Sequence, residues 1–256
     1  MQSSNNIIIT GASSGLGAAL AEKYAADGVV LGLLGRNQIR LEETAQKCRA
    51  QGAIVQIGVL DVRDAEAMQQ WLQKFDDEFP VDLLIANAGI SGGSGGGNGA
   101  DLQQTKDIFA TNVAGVLHSV APLLPRFQVR KAGQIGMIAS LAGYRGLPSA
   151  PAYSASKAAV IAYGDALRGK LARDGVQVSV ICPGFIKTPL TDVNPYKMPF
   201  LMSAEQAANY IAQGLAAKKG RIVFPWQLRI ALSIISAFPS VWSDFLFSGL
   251  PEKPSM

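Results

Sequence analysis

"NIIITGASSGLGAAL", residues 6–20, takes a short apolar run into three glycines, Gly11, Gly15 and Gly17, and then into a helix-forming stretch. Glycine costs conformational entropy at a helix entrance, so its use there serves backbone angles or close approaches that a side chain would forbid. The run therefore predicts a buried strand turning sharply into a helix, with another group packed against the turn. Exposed N–H groups and the positive helix end favour an anion at that place, and a pyrophosphate fits. The spacing is G-x-x-x-G-x-G. A glycine pattern by itself equally suits a turn built for packing alone.

Six further apolar runs follow Ile7–Ile9: Val29–Leu34, Ile54–Val59, Leu83–Ala86, Ile135–Ile138, Val176–Ile181 and Arg221–Phe224. Continuous rather than alternating apolarity marks strands buried on both faces. Helical stretches separate them, at 38–51, 64–79, 105–127, 153–174 and 203–218, the last opening on a capping box from Ser203 to Gln206. Strand then helix, repeated, predicts an α/β protein: a doubly wound parallel sheet of about seven strands with helices on both faces. A chain of 256 residues, 48% hydrophobic and 16% charged, suits one such domain.

The net charge of +4 suits an anionic ligand, but the basic residues are scattered, which argues against nucleic acid. Cys48 and Cys182 lie far apart and His118 is the one histidine, so no metal centre is expected and a reducing compartment is. The first residues lack a positive and then apolar leader, which makes the cytoplasm the expected location. No run reaches the roughly 20 apolar residues expected of a bilayer span.

Three strand ends carry chemistry. At the second, "LLGRN", Gly35 stands where an acidic residue would bond a ribose 2′-hydroxyl, and Arg36 follows. A guanidinium can grip a 2′-phosphate that a carboxylate would repel, which favours NADP(H) with NAD(H) as the weaker alternative. One such bond, at roughly 1.5–3 kcal/mol, shifts the preference about ten- to a hundredfold. Asp61 at the third end can accept from an adenine amino group. At the fourth, "NAG" (Asn87, Ala88, Gly89) leaves room for the ribose and ring. Beyond the fifth strand come Ser140 and then Tyr153 and Lys157, whose i,i+4 spacing puts both on one helix face. A neighbouring ammonium lowers a phenol's pKa, which would suit Tyr153 to proton transfer with Ser140 holding a substrate oxygen.

"TGASSGLG", "DV" (Asp61, Val62), "NAG", Asn112 in "FATNVAG", Ser140, "YSASK" and "PGFIKT" occur together and in order, and in this the chain resembles the short-chain dehydrogenase/reductase family from Ile7 to about Phe224. The resemblance implies a Rossmann-type fold and an oxidoreductase that interconverts a carbonyl and an alcohol. It implies Tyr153 as general acid/base, Lys157 on the nicotinamide ribose, and Ser140 orienting the substrate. Asn112 would sit in a distorted helical turn and hold a water leading from Lys157 to solvent. Pro183, Gly184, Ile186 and Thr188 would frame the nicotinamide, with transfer of the pro-S hydride. Gly11 would then give the turn, Gly15 admit the pyrophosphate and Gly17 pack the helix on the sheet, while Ser13, Ser14 and the Leu16 N–H bond phosphates. Ser14 departs from the family's NADP pattern, which often has a basic residue there. His118 is expected to pack.

The resemblance divides the chain into a catalytic domain, 1–225, with a cofactor half at 1–110 and a catalytic and substrate half at 111–225, and an apolar extension at 226–256. In the extension, Leu228, Ala231, Leu232, Ile235 and Phe238 follow helical spacing, with Trp242 and Phe245 beyond. It can cover the substrate cleft, join a homodimer or homotetramer, or lie on a membrane surface. Phe185, Leu190, Tyr196, Met198, Phe200 and Leu201 in the loop after the sixth strand suggest an apolar substrate. The glycine-rich run 91–101 is expected to be a tolerated loop. The competing readings are a dinucleotide-binding sensor without turnover and a membrane-surface scaffold.

Overall fold

The structure, a computed structural model, describes residues 5–92, 102–192, 194 and 197–237. Seven strands form one sheet: β1 (Asn6–Thr10), β2 (Val30–Gly35), β3 (Ile54–Val59), β4 (Leu83–Ala86), β5 (Gln134–Ile138), β6 (Gln177–Pro183) and β7 (Arg221–Phe224). Every pairing is parallel, in the order β3-β2-β1-β4-β5-β6-β7. Parallel neighbours need crossovers, and helices supply them: α1 (Gly15–Tyr24), α2 (Gln38–Arg49), α3 (Ala65–Glu78), α4 (Leu102–Phe109), α5 (Gly115–Val120), α6 (Leu124–Arg130), α7 (Pro151–Leu171) and α8 (Ala204–Ala216), while α9 (Trp226–Ala237) follows the last strand.

Alternation along β1 sends Ile7 and Ile9 to one face of the sheet and Ile8 to the other. On the first face they meet Leu20 of α1, Leu41 of α2 and Ile211 and Leu215 of α8. On the second, Ile8 joins Leu72 and Phe75 of α3, Val120 of α5, Phe127 of α6 and Leu171 of α7. Each such side chain, fully buried, contributes about 1.5–3 kcal/mol. Side-chain caps fix where the helices start. Asn37 accepts from the Arg40 N–H and Asp64 from the Ala67 N–H, both at 3.0 Å, and the Ser203–Gln206 capping box closes reciprocally.

Three expectations are corrected. β3 is an edge strand, and Ile54 and Val59 at its ends are exposed, because only one neighbour and part of two helices cover it. The stretch 105–127 is not one helix. α4 passes through a π-helical turn, Ala110–Ala114, into α5, and α6 follows after a break. The run Leu102–Arg130 also has the length and hydropathy of a bilayer span, contrary to the sequence expectation, yet Val116, Val120, Leu123 and Phe127 on it pack into the sheet's core. The expected features at 93–101, 193, 195–196 and 238–256, including Tyr196, Phe238, Trp242 and Phe245, lie outside the described residues.

The chain leaves β1 toward β2 and β3, then returns to the opposite side of β1 to form β4. That reversal opens a crevice at the carboxyl ends of β1 and β4, where ligands of such sheets bind.

Candidate active site

The glycine turn forms one wall of the crevice. Gly11 and Gly15 have φ of 68° and 55°, the left-handed region, so both need to be glycine. Gly17 serves close approach: a Cβ there would lie 2.1 Å from the Gly11 carbonyl oxygen. Its neighbour is thus the turn itself, more than the sheet on which it was expected to pack. Ser14 stands at the N-cap of α1 without a side-chain cap bond, while Leu16 is buried and Ser13 half-buried. The helix entrance so keeps first-turn N–H groups that no side chain caps, and they suit an anion. Asn87 pins the turn from β4. Its amide donates to the Thr10 carbonyl at 2.9 Å and the Gly11 carbonyl at 3.3 Å, and Thr10 Oγ1 accepts from the Asn87 and Ala88 N–H groups at 3.0 Å each.

At the rim of β2 and β3, a Cβ on Gly35 would crowd the Ser13 side chain at 3.2 Å, which disfavours a carboxylate at that position. Arg36 is exposed, with its Nη1 3.6 Å from Asp61 Oδ2. Asp61 is held more closely by Arg63, through Nε at 2.9 Å and the backbone N–H at 3.0 Å. Burial pushes the Asp61 carboxyl up, but the Arg63 bonds and the two guanidinium charges outweigh it and hold it below its ordinary value. Val62 is buried against Gly115, and its carbonyl lies 2.9 Å from His118 Nδ1. His118 so has a packing role that joins α5 to the end of β3.

Across the crevice, Ser140 follows the end of β5 and caps a 3-10 turn, Leu141–Gly143, accepting from the Ala142 N–H at 3.1 Å. The Tyr153 phenol rises from the first turn of α7, where the Ser140 hydroxyl acts on it to favour the phenolate. One turn on, Lys157 is buried; its Nζ donates to the Ile138 carbonyl at 2.9 Å and lies 5.7 Å from the centre of the Tyr153 ring. Burial raises the Tyr153 phenol above its ordinary value, and the Ser140 bond only partly offsets this. The expected lowering by Lys157 does not set the sign here, since burial of the phenol dominates; burial also brings that lysine itself down to about 8, against an opposing influence from Cys182. The phenol is therefore in its proton-donating form at neutral pH.

Asn112 falls in the π-helical turn, fully buried. Its Oδ1 accepts from the Ile90 N–H at 2.8 Å, and its Nδ2 donates to the Ile90 carbonyl at 2.9 Å and to Ser156 Oγ at 3.0 Å. Ser156 in turn donates to the Tyr153 carbonyl at 2.7 Å. Asn112 thereby ties the segment after β4 to the helix that carries Tyr153. Gly89 allows this closeness, since a Cβ there would lie 3.2 Å from Asn112 Oδ1 and 3.4 Å from Lys157 Nζ.

Pro183 ends β6, and Gly184 donates to the Phe224 carbonyl at 2.7 Å. The following loop is closed at its base by a bridge between Ile186, which is buried, and Met202. Thr188 reaches back to the glycine turn: a Cβ on Gly15 would lie 3.1 Å from its Cβ and Cγ2. α9 adds the last wall, with Leu228 Cδ1 and Leu141 Cδ1 both beside Gly184. The crevice so brings together Gly11, Gly15, Ala88, Gly89, Ser140, Tyr153, Lys157, Gly184 and Thr188. Arg36 and Asp61 stand at its outer rim.

Sequence reasoning missed Arg63, Ser156 and Thr10. Arg63 lies two residues from the quoted Asp61, and Ser156 inside the quoted "YSASK", so each was in view without a signal of what it bonds.

The family model for short chain dehydrogenases matches residues 5–198. A curated oxidoreductase of Myxococcus xanthus is 36% identical over 238 residues, covering 93% of this chain and 94% of that protein. Among solved structures, a short chain dehydrogenase/reductase from Burkholderia phymatum in complex with NAD is 26% identical with a TM-score of 0.82, covering 99% of this chain and 97% of that one. The actinorhodin polyketide ketoreductase with NADPH is 27% identical with a TM-score of 0.76, covering 88% and 97%.

Proposed function

The chain belongs to the short-chain dehydrogenase family, and from that premise we propose an NADP(H)-dependent oxidoreductase that interconverts an apolar ketone or aldehyde and its alcohol. The observation that carries it is the Tyr153 ring with Lys157 Nζ 5.7 Å from its centre, on the helix that follows Ser140, in a crevice whose other wall is the left-handed Gly11 and Gly15 turn.

Residues 1–110 form the cofactor half and 111–225 the catalytic and substrate half, which also supplies contacts to the nicotinamide end, and the described parts of both share one sheet. The residues fit a nicotinamide dinucleotide: two left-handed glycines and a helix entrance without a side-chain cap suit its pyrophosphate. Gly11, Ser13, Ser14, Gly15, Leu16 and Gly17 would hold that group, Asp61 and Val62 the adenine, Asn87, Ala88, Gly89 and Lys157 the riboses, and Pro183, Gly184, Ile186 and Thr188 the nicotinamide. When bound, the nicotinamide supplies or accepts the hydride. Ser140 orients the substrate oxygen. Tyr153 gives that oxygen its proton in reduction and takes it back in oxidation. Lys157 sets the charge beside the phenol, and Asn112 with Ser156 fixes α7 against the segment after β4.

Arg36 favours NADP(H): it is exposed, and Gly35, the last residue of β2, carries no carboxylate. Leu141 and Leu228 beside Gly184, with the exposed Leu190, Phe200 and Leu201, favour an apolar substrate. The ketoreductase likeness agrees with a ketone. Exposed Leu102, Phe109 and Leu117 on α4 and α5, beside exposed small residues Ala155, Ala158 and Ala162 on α7, favour a homo-oligomer through those helices. α9 walls the cleft through Leu228, while Trp226, Ile230 and Ile234 on it are exposed at i, i+4 and i+8, which favours a peripheral membrane contact as well. Two buried free thiols, Cys48 and Cys182, accord with the cytoplasm.

Titration with NADPH and NADH, repeated on Arg36→Ala, tests the cofactor; a carbonyl panel repeated on Tyr153→Phe tests the reaction. Equal affinity for both cofactors would remove the NADP(H) preference. Turnover undiminished in Tyr153→Phe would remove the assigned acid/base. Liposome flotation tests the membrane contact.

A further inference from the structure

We infer that Arg63 is a specificity-determining residue, which neutralises Asp61 so that Arg36 stays available to a 2′-phosphate. This rests on the NADP(H) reading proposed above. Two guanidinium groups converge on one carboxylate oxygen: Arg63 Nη2 lies 2.8 Å and Arg36 Nη1 3.6 Å from Asp61 Oδ2. The two contacts differ in kind. Arg63 hydrogen-bonds both carboxylate oxygens, with Nε at 2.9 Å to Oδ2 and its backbone N–H at 3.0 Å to Oδ1. Arg36 stands beyond hydrogen-bond distance, its side chain 63% exposed.

Arg63 thus holds both oxygens of Asp61, including Oδ2, the one nearest Arg36. Arg63 cannot easily turn elsewhere, because its Nη1 also pairs with Asp107 of α4 at 3.3 Å. The guanidinium fork is spread between β3's end and the helix beyond.

An ionised Asp61 would act twice against a phosphate at Arg36. It would repel the dianion, and it would compete for the guanidinium N–H groups. With Arg63 in place its charge is locally balanced, and its carboxylate is already bonded. Without Arg63, Asp61 is free to draw Arg36 from 3.6 Å into a full pair. Selectivity would then fall at a residue that need not touch the cofactor. Asp61 bonding to an adenine amino group would serve both cofactors alike, so the ratio of their affinities isolates the effect on the 2′-phosphate.

The test is calorimetric titration of the full chain with NADPH and NADH, at low and high salt, in the native protein, Arg63→Gln and the double variant Asp61→Asn/Arg63→Gln. A native preference for NADPH is expected, falling about five- to tenfold in Arg63→Gln while NADH affinity holds within about twofold, which also shows that the variant is folded. The double variant should recover the native preference to within about twofold, and the loss in Arg63→Gln should shrink at high salt. A native protein without preference overturns the NADP(H) reading and this inference with it. A native preference that Arg63→Gln keeps overturns this inference alone. A double variant as unselective as Arg63→Gln overturns it too, since Arg63 would then grip the phosphate itself.

Discussion

Lys157 Nζ donates to the Ile138 carbonyl at 2.9 Å, and this places a buried ammonium against the last residue of β5, beneath the Tyr153 ring. Burial lowers this lysine from an ordinary 10.5 to about 8. Between those values the unfolded chain binds a proton that the folded chain does not, so the lysine's contribution to stability rises with pH through that window. Relative to Lys157→Met, the native protein should gain up to about 3 kcal/mol from pH 8 to pH 10.5. Urea melts of both proteins across that range check it, and a constant difference would refute a depressed lysine.

Tyr153 has the opposite tendency. Burial raises its phenol, so the proton donor of the reduction is fully present at neutral pH. The reductive rate should be flat from about pH 6 to 8, and oxidation, which needs the phenolate, should climb with pH. Tyr153→Phe should lower kcat by about 10²–10⁴ with NADPH affinity kept. Rate profiles in both directions, with a binding titration beside them, test this.

Gly17 and Gly169 should respond in opposite senses to alanine. A Cβ at Gly17 meets a fixed carbonyl at 2.1 Å and Asn87 Nδ2 at 2.6 Å, so the variant should lose at least about 3 kcal/mol, the upper end of overpacking costs. Nothing lies within 4 Å of a Cβ at Gly169, within α7 and exposed, so that variant should gain about 0.5–1 kcal/mol. Thermal or urea unfolding separates the two.

Asn112→Ala would leave both Ile90 backbone groups without their side-chain partner and cut the link to Ser156. A loss of about 1–3 kcal/mol is expected from the half-buried Ile90 groups and the buried Ser156 hydroxyl left without that partner. If the link positions Tyr153, kcat should fall more than tenfold with KM nearly constant, and Ser156→Ala should reproduce part of that fall. Equal losses of kcat and of folded protein would point to stability alone.

Leu228→Ala should widen the cleft beside Gly184 and Leu141. The ratio of kcat/KM for a bulky over a small ketone is expected to rise about three- to tenfold, in line with the modest discrimination a few methyl groups provide. A matched ketone series measures it.

The architecture was legible because each strand is a mostly apolar run rich in Ile, Val and Leu, and the segments between runs have helical spacing. β3 misled because an edge strand and a central one share that apolar signature; exposure depends on neighbours. Gly11, Ser140, Tyr153 and Lys157 stood out because their types and spacing are tied to chemistry. Arg63 and Ser156 did not, because an arginine beside an aspartate or a serine in a helix is common, and only the fold shows whose hydrogen bonds they complete. The Tyr153 phenol was misjudged in sign for a related reason: spacing reveals that a lysine is near, but burial is a property of the whole assembly.

Thr10 accepts hydrogen bonds from Asn87 and Ala88, residues 77 and 78 positions further along the chain. The glycine turn so acquires its final shape only after a long loop has closed and β4 has docked on β1, a non-local step that slows folding. A dinucleotide can recognise only the finished sheet, and by mass action a hundredfold excess over its dissociation constant would stabilise the native state by about 2.7 kcal/mol. The ligand would therefore act as a thermodynamic clasp on the two halves of the chain, and a protein purified without it would be the more easily lost to unfolding and proteolysis.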